Sequence, residues 1–103
     1  MLLIEADGKA LLAERGGDLP SPLVALTPRT ITRPQQLRTE LDAVRARGYA
    51  VDREENATGI TCFAVALPTT WPPVDAVSVS VPVARVTPAL EKQIVQALLR
   101  HRL

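Results

Sequence analysis

One cysteine and two serines have the spacing to line a single surface of a β-sheet. Cys62 lies in the apolar run 60–67, while Ser78 and Ser80 lie in the run 74–81, and both runs are typical of strands. Because successive side chains of a strand point to opposite faces, Ser78 and Ser80 share a face, and Cys62 joins them where the two lighter faces coincide. Small side chains leave room for a ligand there, and hydroxyl groups can donate to its oxygen atoms. The pattern predicts a shallow, polar-lined site for a small molecule.

The same residues are also typical of the solvent face of a half-buried sheet. Antiparallel sheets often leave one face in water, and serine is common on such a face. Residue types alone favour this plainer interpretation over a binding site.

Catalysis and metal binding find little support in the residue types. A nucleophilic Cys62 would need His101 as its base and Asp52 to orient that base. A lone cysteine in an apolar strand usually packs without reacting, and His101 lies close to the C-terminus, where chains fray. One histidine and one cysteine cannot complete a tetrahedral metal site within the chain. We expect no enzymatic activity, no metal and no cofactor.

The composition indicates one globular domain without a strong preference for nucleic acid. Of the 103 residues, 47% are hydrophobic and 22% are charged, a balance typical of folded domains. Twelve Lys and Arg against eleven Asp and Glu leave a net charge of +1, so we expect no direct contact with DNA. The lone cysteine favours a reducing compartment, and the apolar start 1–4 is too short for a signal peptide or a membrane span. We expect a cytoplasmic protein without a membrane role.

Three helices are predicted from their start and stop signals. The first should end near Arg15, before a proline-containing loop over residues 18–32. Thr32 predicts the N-cap of the second helix, with Gln35 as its capping-box partner, and Gly48 has the residue type that ends such a helix. Thr87 predicts the N-cap of the last helix.

The two apolar runs predict an antiparallel pair of strands. The segment 68–73 between them is short enough for a hairpin connection. One face of the first run is heavier, since Phe63 and Val65 point the same way, and we expect the helices to cover that face. The predicted architecture is therefore a single α+β domain whose antiparallel sheet has helices packed on one face.

Five segments of the chain, in this order, resemble the effector-binding domain of IclR-type transcriptional regulators. The matching segments are GKALLA at 8–13, LTPRTIT at 26–32, LDAVRARGYAVD at 41–52, GITCFA at 59–64 and AVSVSVP at 76–82. No single segment is diagnostic, but five in this order are fairly specific, and they extend through most of the chain. The resemblance implies the C-terminal part of such a domain, with a GAF/profilin-like fold that is only partial here.

By this resemblance, residues 1–103 form one effector-binding unit without the winged helix-turn-helix that such regulators use on DNA. Domains of this family bind a small metabolite, often a carboxylic or aromatic acid, and relay its presence to the attached DNA-binding part. The family's pocket positions correspond here to Asp52, Cys62, Ser78 and Ser80, completed by the backbone of Ala6 and Asp7. Asp7 would repel a carboxylate effector unless it is protonated or paired.

Self-association is a further expectation, and it leaves a second function open. Trp71 lies in the hairpin segment 68–73, where an exposed tryptophan often marks a protein contact. A sheet with an unpaired edge strand is usually covered by another chain, so we expect a homo-oligomer formed at that edge or through the tip. The alternative function is therefore a degenerate domain that acts only in dimerisation or protein–protein interaction.

Overall fold

Three helices and three strands follow one another along the chain. The computed structural model describes residues 6–16, 19, 23 and 25–101. The helices are α1 (Ala6–Arg15), α2 (Pro34–Arg47) and α3 (Pro88–Leu99), and the strands are β1 (Ala50–Arg53), β2 (Ile60–Ala66) and β3 (Ala76–Pro82). The α+β class is confirmed, whereas the apolar start 1–4 and part of the predicted loop 18–32 lie outside the described residues. Among the helices in the described ranges, none is long and apolar enough to cross a membrane.

The strands form one antiparallel sheet in the order β1-β2-β3. The predicted hairpin between β2 and β3 is confirmed, because the N–H of Leu67 donates to the carbonyl of Asp75 over 2.9 Å. The register defines two faces. The face that we call the alanine face carries Ala50, Asp52, Cys62, Ala64, Ser78 and Ser80. The opposite face, called the valine face, carries Val51, Phe63, Val65, Val77 and Val79.

Helices cover both faces of the sheet, so the prediction of helices on one face only was wrong. The valine face packs against α3, where Leu98 and Ile94 meet Phe63 and Val65. The alanine face packs against α1, and α2 packs on α1 within the same separate core cluster, whose members include Ala6, Ala10, Ala13, Leu37, Leu41, Val44, Ala50 and Ala64. The sheet is therefore the middle layer of three.

Small side chains explain why the lighter face is covered as well. Ala6 and Ala13 on α1 are fully buried, as are Ala50 and Ala64 on the sheet. Alanine against alanine lets the helix backbone approach the strands closely, and the dense packing of protein interiors then leaves little void. A face of small residues was interpreted from the sequence as solvent-exposed or ligand-lined. Over most of its area it is instead a close helix contact.

Three of the four predicted helix ends are confirmed, and the first of these is Arg15, where α1 ends. Gly48 ends α2 with a positive φ of 93°, and its N–H donates to Val44 O over 2.8 Å, as predicted. Thr87 caps α3 by accepting a hydrogen bond from the N–H of Leu90. The predicted cap at Thr32 was wrong, because Pro34 is the first helical residue and leaves Arg33, which makes no side-chain cap bond, in the N-cap position.

A buried lysine fixes α1 to the sheet. Lys9 is fully buried, and its ammonium lies 2.7 Å from Oε1 of Glu55 and donates to the carbonyl of Val51 over 2.8 Å. Glu40 of α2 lies 3.9 Å from the same nitrogen. A charge-assisted bond inside a protein is strong only when its partners remain in place, so this group determines where α1 crosses β1.

Candidate functional site

The register brings the predicted cysteine and serines together on the alanine face. Asp52, Cys62 and Ser80 are neighbours across β1, β2 and β3, and Ser78 lies one position along the same face, opposite Ala64. The hydroxyl of Ser80 donates to the Cys62 sulfur over 3.5 Å. Both serines are exposed and the thiol is half-buried, so this end of the face remains open while α1 covers the rest.

The first turn of α1 reaches the same surface from above. Oδ2 of Asp7 lies 3.5 Å from the hydroxyl of Ser78, although the two residues are 71 positions apart in the chain. Oδ1 of Asp7 is buried and has no hydrogen-bond donor among the residues that the structure describes. Ala6, which precedes it, is fully buried at the start of the helix. Asp7, Ser78, Ser80 and Cys62 therefore lie together where α1 begins above β3, with Ala6 beside Asp7, while Asp52 lies on β1 on the other side of Cys62.

Asp52 faces the site, but its carboxylate serves the neighbouring turn. Its side chain is only 3% exposed, and Oδ1 accepts hydrogen bonds from the N–H groups of Glu55 and Asn56 over 2.7 and 3.2 Å. Such a bond is typical of an aspartate that shapes a turn. Asp52 therefore positions the link between β1 and β2, in addition to its place beside Cys62.

Two threonines form hydrogen bonds to this turn, and no sequence pattern indicated their role. The hydroxyl of Thr27 donates to Glu54 O over 2.5 Å, and the hydroxyl of Thr30 donates to the carbonyl of Glu55. Glu54 has a positive φ of 61°, which a non-glycine residue adopts only when its surroundings hold it there. Thr27 and Thr30 lie in the segment 26–32, which resembles the IclR-type domain. Contacts over 25 or more positions leave no local sequence pattern that would predict them.

The thiol of Cys62 is held in its neutral form. Burial raises its pKa, hydrogen bonds from Ser80 and Ser78 lower it by less, and the nearby charges of Asp7 and Asp52 raise it further. A raised pKa opposes nucleophilic chemistry, because the thiolate is the reactive species. His101 follows α3, which packs on the valine face, so the structure does not bring it to Cys62.

The site is rich in acceptors and has no paired cation within the described residues. Neither Asp7 nor Asp52 takes part in an ion pair there, since the described ion pairs involve other carboxylates. The described part of the chain also holds no group of three or more metal-ligating side chains. The described groups at this end of the face, two hydroxyls, a thiol and carboxylate oxygens, can therefore form hydrogen bonds.

A cleft of about 240 Å³ lies elsewhere, between α1 and α2. Leu12, Leu19 and Leu41 form its apolar part, and Arg38 and Arg45 are among its charged lining. None of the six residues assigned by resemblance contributes to it.

Trp71 occupies the position expected at the tip of the β2–β3 hairpin. Its side chain is 72% exposed, and Val74 beside it is also exposed. The tip therefore presents apolar surface to solvent.

Comparison with known proteins identifies the class of domain. The family model described as "Bacterial transcriptional regulator IclR C-terminal" matches residues 2–101. This chain therefore belongs to the IclR family of bacterial transcriptional regulators and corresponds to their C-terminal domain. Its α+β fold with an antiparallel sheet is the fold of solved domains of that family.

Individual relatives agree with this membership. The HTH-type transcriptional regulator Rv1719 of Mycobacterium tuberculosis is 44% identical over 85 residues, which cover 78% of this chain and 33% of the relative. The crystal structure of the C-terminal domain of the Escherichia coli regulator KdgR superposes with a TM-score of 0.77 at 33% identity, covering 91% of this chain and 62% of that domain.

A third relative was solved with a bound small molecule. It is a double mutant of the inducer-binding domain of the PobR transcription factor from Acinetobacter, in complex with 3-hydroxybenzoic acid. The TM-score is 0.75 at 29% identity, covering 92% of this chain and 58% of that one. The present chain thus spans about a third of the length of curated regulators such as Rv1719, and about three fifths of these solved domains.

Proposed function

We propose that this chain is the effector-sensing part of an IclR-type regulator and binds a small organic metabolite at the open end of the alanine face. The observation that carries the proposal is the convergence of the exposed hydroxyls of Ser78 and Ser80 with the thiol of Cys62 and the first turn of α1. The related PobR domain, which was solved in complex with 3-hydroxybenzoic acid, supports a ligand of this size.

Each residue has a distinct role in this proposal. Ser78 and Ser80 donate to and accept from the ligand, and the neutral thiol of Cys62 forms the floor between them. The backbone N–H groups of Ala6 and Asp7, at the start of α1, are available because first-turn groups have no partner within a helix. Asp52 contributes indirectly by fixing the turn after β1.

The proposal extends to the role of the chain as a whole. Residues 1–103 act as one sensing unit, and contact with DNA belongs to a winged helix-turn-helix outside these residues. The near-neutral charge of +1 supports this division of labour. We place the protein in the cytoplasm, where metabolites and regulators meet, and assign it no catalytic activity.

Thermal melting against a panel of small organic compounds tests the proposal. A ligand present at 100 times its dissociation constant should stabilise the folded state by about 2.7 kcal/mol. The double variant Ser78→Val, Ser80→Val should fold, since valine suits a strand, but should lose the ligand-induced shift.

The matched control is Thr69→Val, which removes a hydroxyl in the hairpin away from the site. Its ligand-induced shift should equal that of the unmodified chain. Retained binding by the double serine variant would remove the two residues from the site.

A second candidate function is association without a ligand, in which two copies of the chain bind each other. The exposed Trp71 at the hairpin tip and the outer edge of β3 support it. Light scattering on a Trp71→Ser variant tests the tip, and a mass reduced to that of a single chain is the expected result. An unchanged mass would exclude the tip from the interface.

A further inference from the structure

The cations of α1 are directed away from the candidate site. Lys9 lies two positions from Asp7 but is committed to Glu55 and to the carbonyl of Val51. Arg15, at the other end of the helix, donates to the carbonyl of Pro73 over 3.1 Å. The open end of the alanine face is therefore negative, because Asp7 approaches it without a cationic partner among the described residues.

The carboxylate of Asp7 has an unmet demand for hydrogen-bond donors. A carboxylate is an acceptor only, with two oxygens that can each take more than one hydrogen. Oδ1 is buried and has no donor in the described part of the chain, and Oδ2 has only the long 3.5 Å contact with Ser78. Buried polar atoms are nearly always satisfied in folded proteins, so an exception calls for an explanation.

The position of Asp7 in the helix accounts for only part of this. An acidic residue in the first turn is favourable because it meets the positive end of the helix dipole. That effect explains why the charge is tolerated. It neither supplies a donor to Oδ1 nor requires the side chain to approach β3.

A protonated amine matches the available groups in number and type. An ammonium carries three N–H donors and no acceptor. One donor can meet Oδ2 of Asp7, the carboxylate oxygen that approaches Ser78, and the others can meet the hydroxyls of Ser78 and Ser80, which accept as well as donate. A carboxylate in the same place would face the negative charge of Asp7, with that of Asp52 close behind Cys62.

We infer that Asp7 makes this site selective for a small metabolite that carries a protonated amine, and selects against carboxylic acids. The inference rests on the proposed function, namely that the open end of the alanine face binds an effector. It distinguishes this chain from the PobR domain, which was solved with 3-hydroxybenzoic acid bound.

Matched sets of compounds test the selectivity. Each set has one carbon skeleton, benzyl, butyl or cyclohexylmethyl, carrying an amine, an alcohol or a carboxylate, and binding to the chain is measured by calorimetry at neutral pH. Within at least one set, the amine should bind at least tenfold more tightly than the carboxylate.

The variant Asp7→Asn removes the charge while keeping the size of the side chain. It should weaken binding of the amine at least tenfold and reduce or invert the preference over the acid. The ratio of the two affinities is the decisive readout, because a purely structural effect at the start of α1 would weaken both ligands alike. The control Asp75→Asn makes the same substitution in the hairpin and should leave the ratio unchanged.

The outcomes separate the inference from the function on which it rests. One such outcome is that the unmodified chain binds acids or alcohols more tightly than amines and that Asp7→Asn leaves this ranking of affinities unchanged. This result would overturn the inferred selectivity but not the proposal that the site binds an effector. Equal binding of the amine by the chain and by Asp7→Asn would do the same. Failure of every compound to bind either protein at millimolar concentration would overturn both.

Discussion

The two edge strands of the sheet differ in whether their outward-facing backbone groups have hydrogen-bond partners. Beside β1, side chains occupy two outward-facing carbonyls, since Arg47 donates to the carbonyl of Tyr49, the residue before the strand, and Lys9 donates to Val51 O within it, each over 2.8 Å. On β3, pairing with β2 leaves the backbone groups of Ala76, Ser78 and Ser80 pointing outwards. Within the described residues, no side chain hydrogen-bonds to those groups.

The difference shows which edge of the sheet can be extended. Natural proteins protect edge strands with charged side chains, and β1 has two. β3 has no such protection in the described part of the chain, and its exposed Val79 adds apolar surface beside it. A further strand, from a second copy or from another part of the polypeptide, is therefore expected at β3 and not at β1.

Lys9 is the buried side chain that bonds to the edge of β1, and replacing it should have the largest effect on stability. Lys9→Met leaves Glu55 buried without its partner, so we expect the free energy of unfolding to fall by about 3–5 kcal/mol. Urea denaturation measures it, and Lys92→Met, an exposed change in α3, serves as the control. A loss below about 1 kcal/mol, the size expected of a surface pair, would show that β1 is not fixed by Lys9.

A pair of proline substitutions tests the open edge. The N–H of Ala76 points outwards, so Ala76→Pro should keep the β2–β3 pairing and raise the dissociation constant of a β3-paired dimer by about tenfold or more, or ~1.4 kcal/mol. Val77→Pro removes an inward bond to β2 and should instead destabilise the fold by about 3 kcal/mol.

Analytical ultracentrifugation and thermal melting together give both readouts. Equal effects of the two prolines on stability would contradict the assigned direction of the β3 backbone groups. A dimer whose dissociation constant Ala76→Pro leaves unchanged would exclude β3 as the contact between copies.

Arg47, the second side chain at this edge, is more exposed than Lys9, so replacing it should lower the free energy of unfolding by less. Arg47 also pairs with Glu40 over 2.8 Å and lies over the ring of Tyr49. Because the pair is partly solvated, Arg47→Ala should cost about 1 kcal/mol. Arg38→Ala, on the exposed side of the same helix, controls for the loss of a cation from α2. A loss of stability equal to that of Lys9→Met would mean that Arg47 and Lys9 stabilise this edge equally.

The thiol beside the open edge should show the smallest effect. Because burial raises the pKa of Cys62, less thiolate is present at pH 8, and alkylation by iodoacetamide should be several-fold slower than for an unfolded chain. The rate should rise as the pH increases beyond the ordinary pKa of a cysteine. A rate equal to that of the denatured protein would indicate that the thiol is fully solvated.

The sequence alone was enough to predict features set within one strand or one helical turn. It was not enough to predict contacts between residues that are far apart in the chain. Alternation along β2 and β3 was enough to place Cys62 with Ser80, since the period of a strand is fixed by its geometry. Gly48 and Thr87 were likewise predictable because their signals lie within one helical turn. The prediction of an N-cap at Thr32 failed because Thr32 and Pro34 are both start signals, and α2 begins at Pro34.

The coverage of the alanine face could not be predicted from residue types. Alanine is equally compatible with solvent, with a ligand and with a closely packed helix, so only the position of α1 distinguishes among them. The role of Lys9 was hidden for a related reason, because its partners at Val51 and Glu55 lie more than 40 positions away. Tertiary packing, which no short pattern encodes, decided both.

Glu55 joins three otherwise separate parts of the molecule. Its carboxylate pairs with Lys9 of α1, its N–H donates to Asp52 of β1, and its carbonyl accepts from Thr30 in the segment before α2. A change in the position of α1 would therefore act on this turn as well, because Lys9 and Glu55 are paired. The N–H and the carbonyl of Glu55 would carry that change to the outer strand and to the segment before α2.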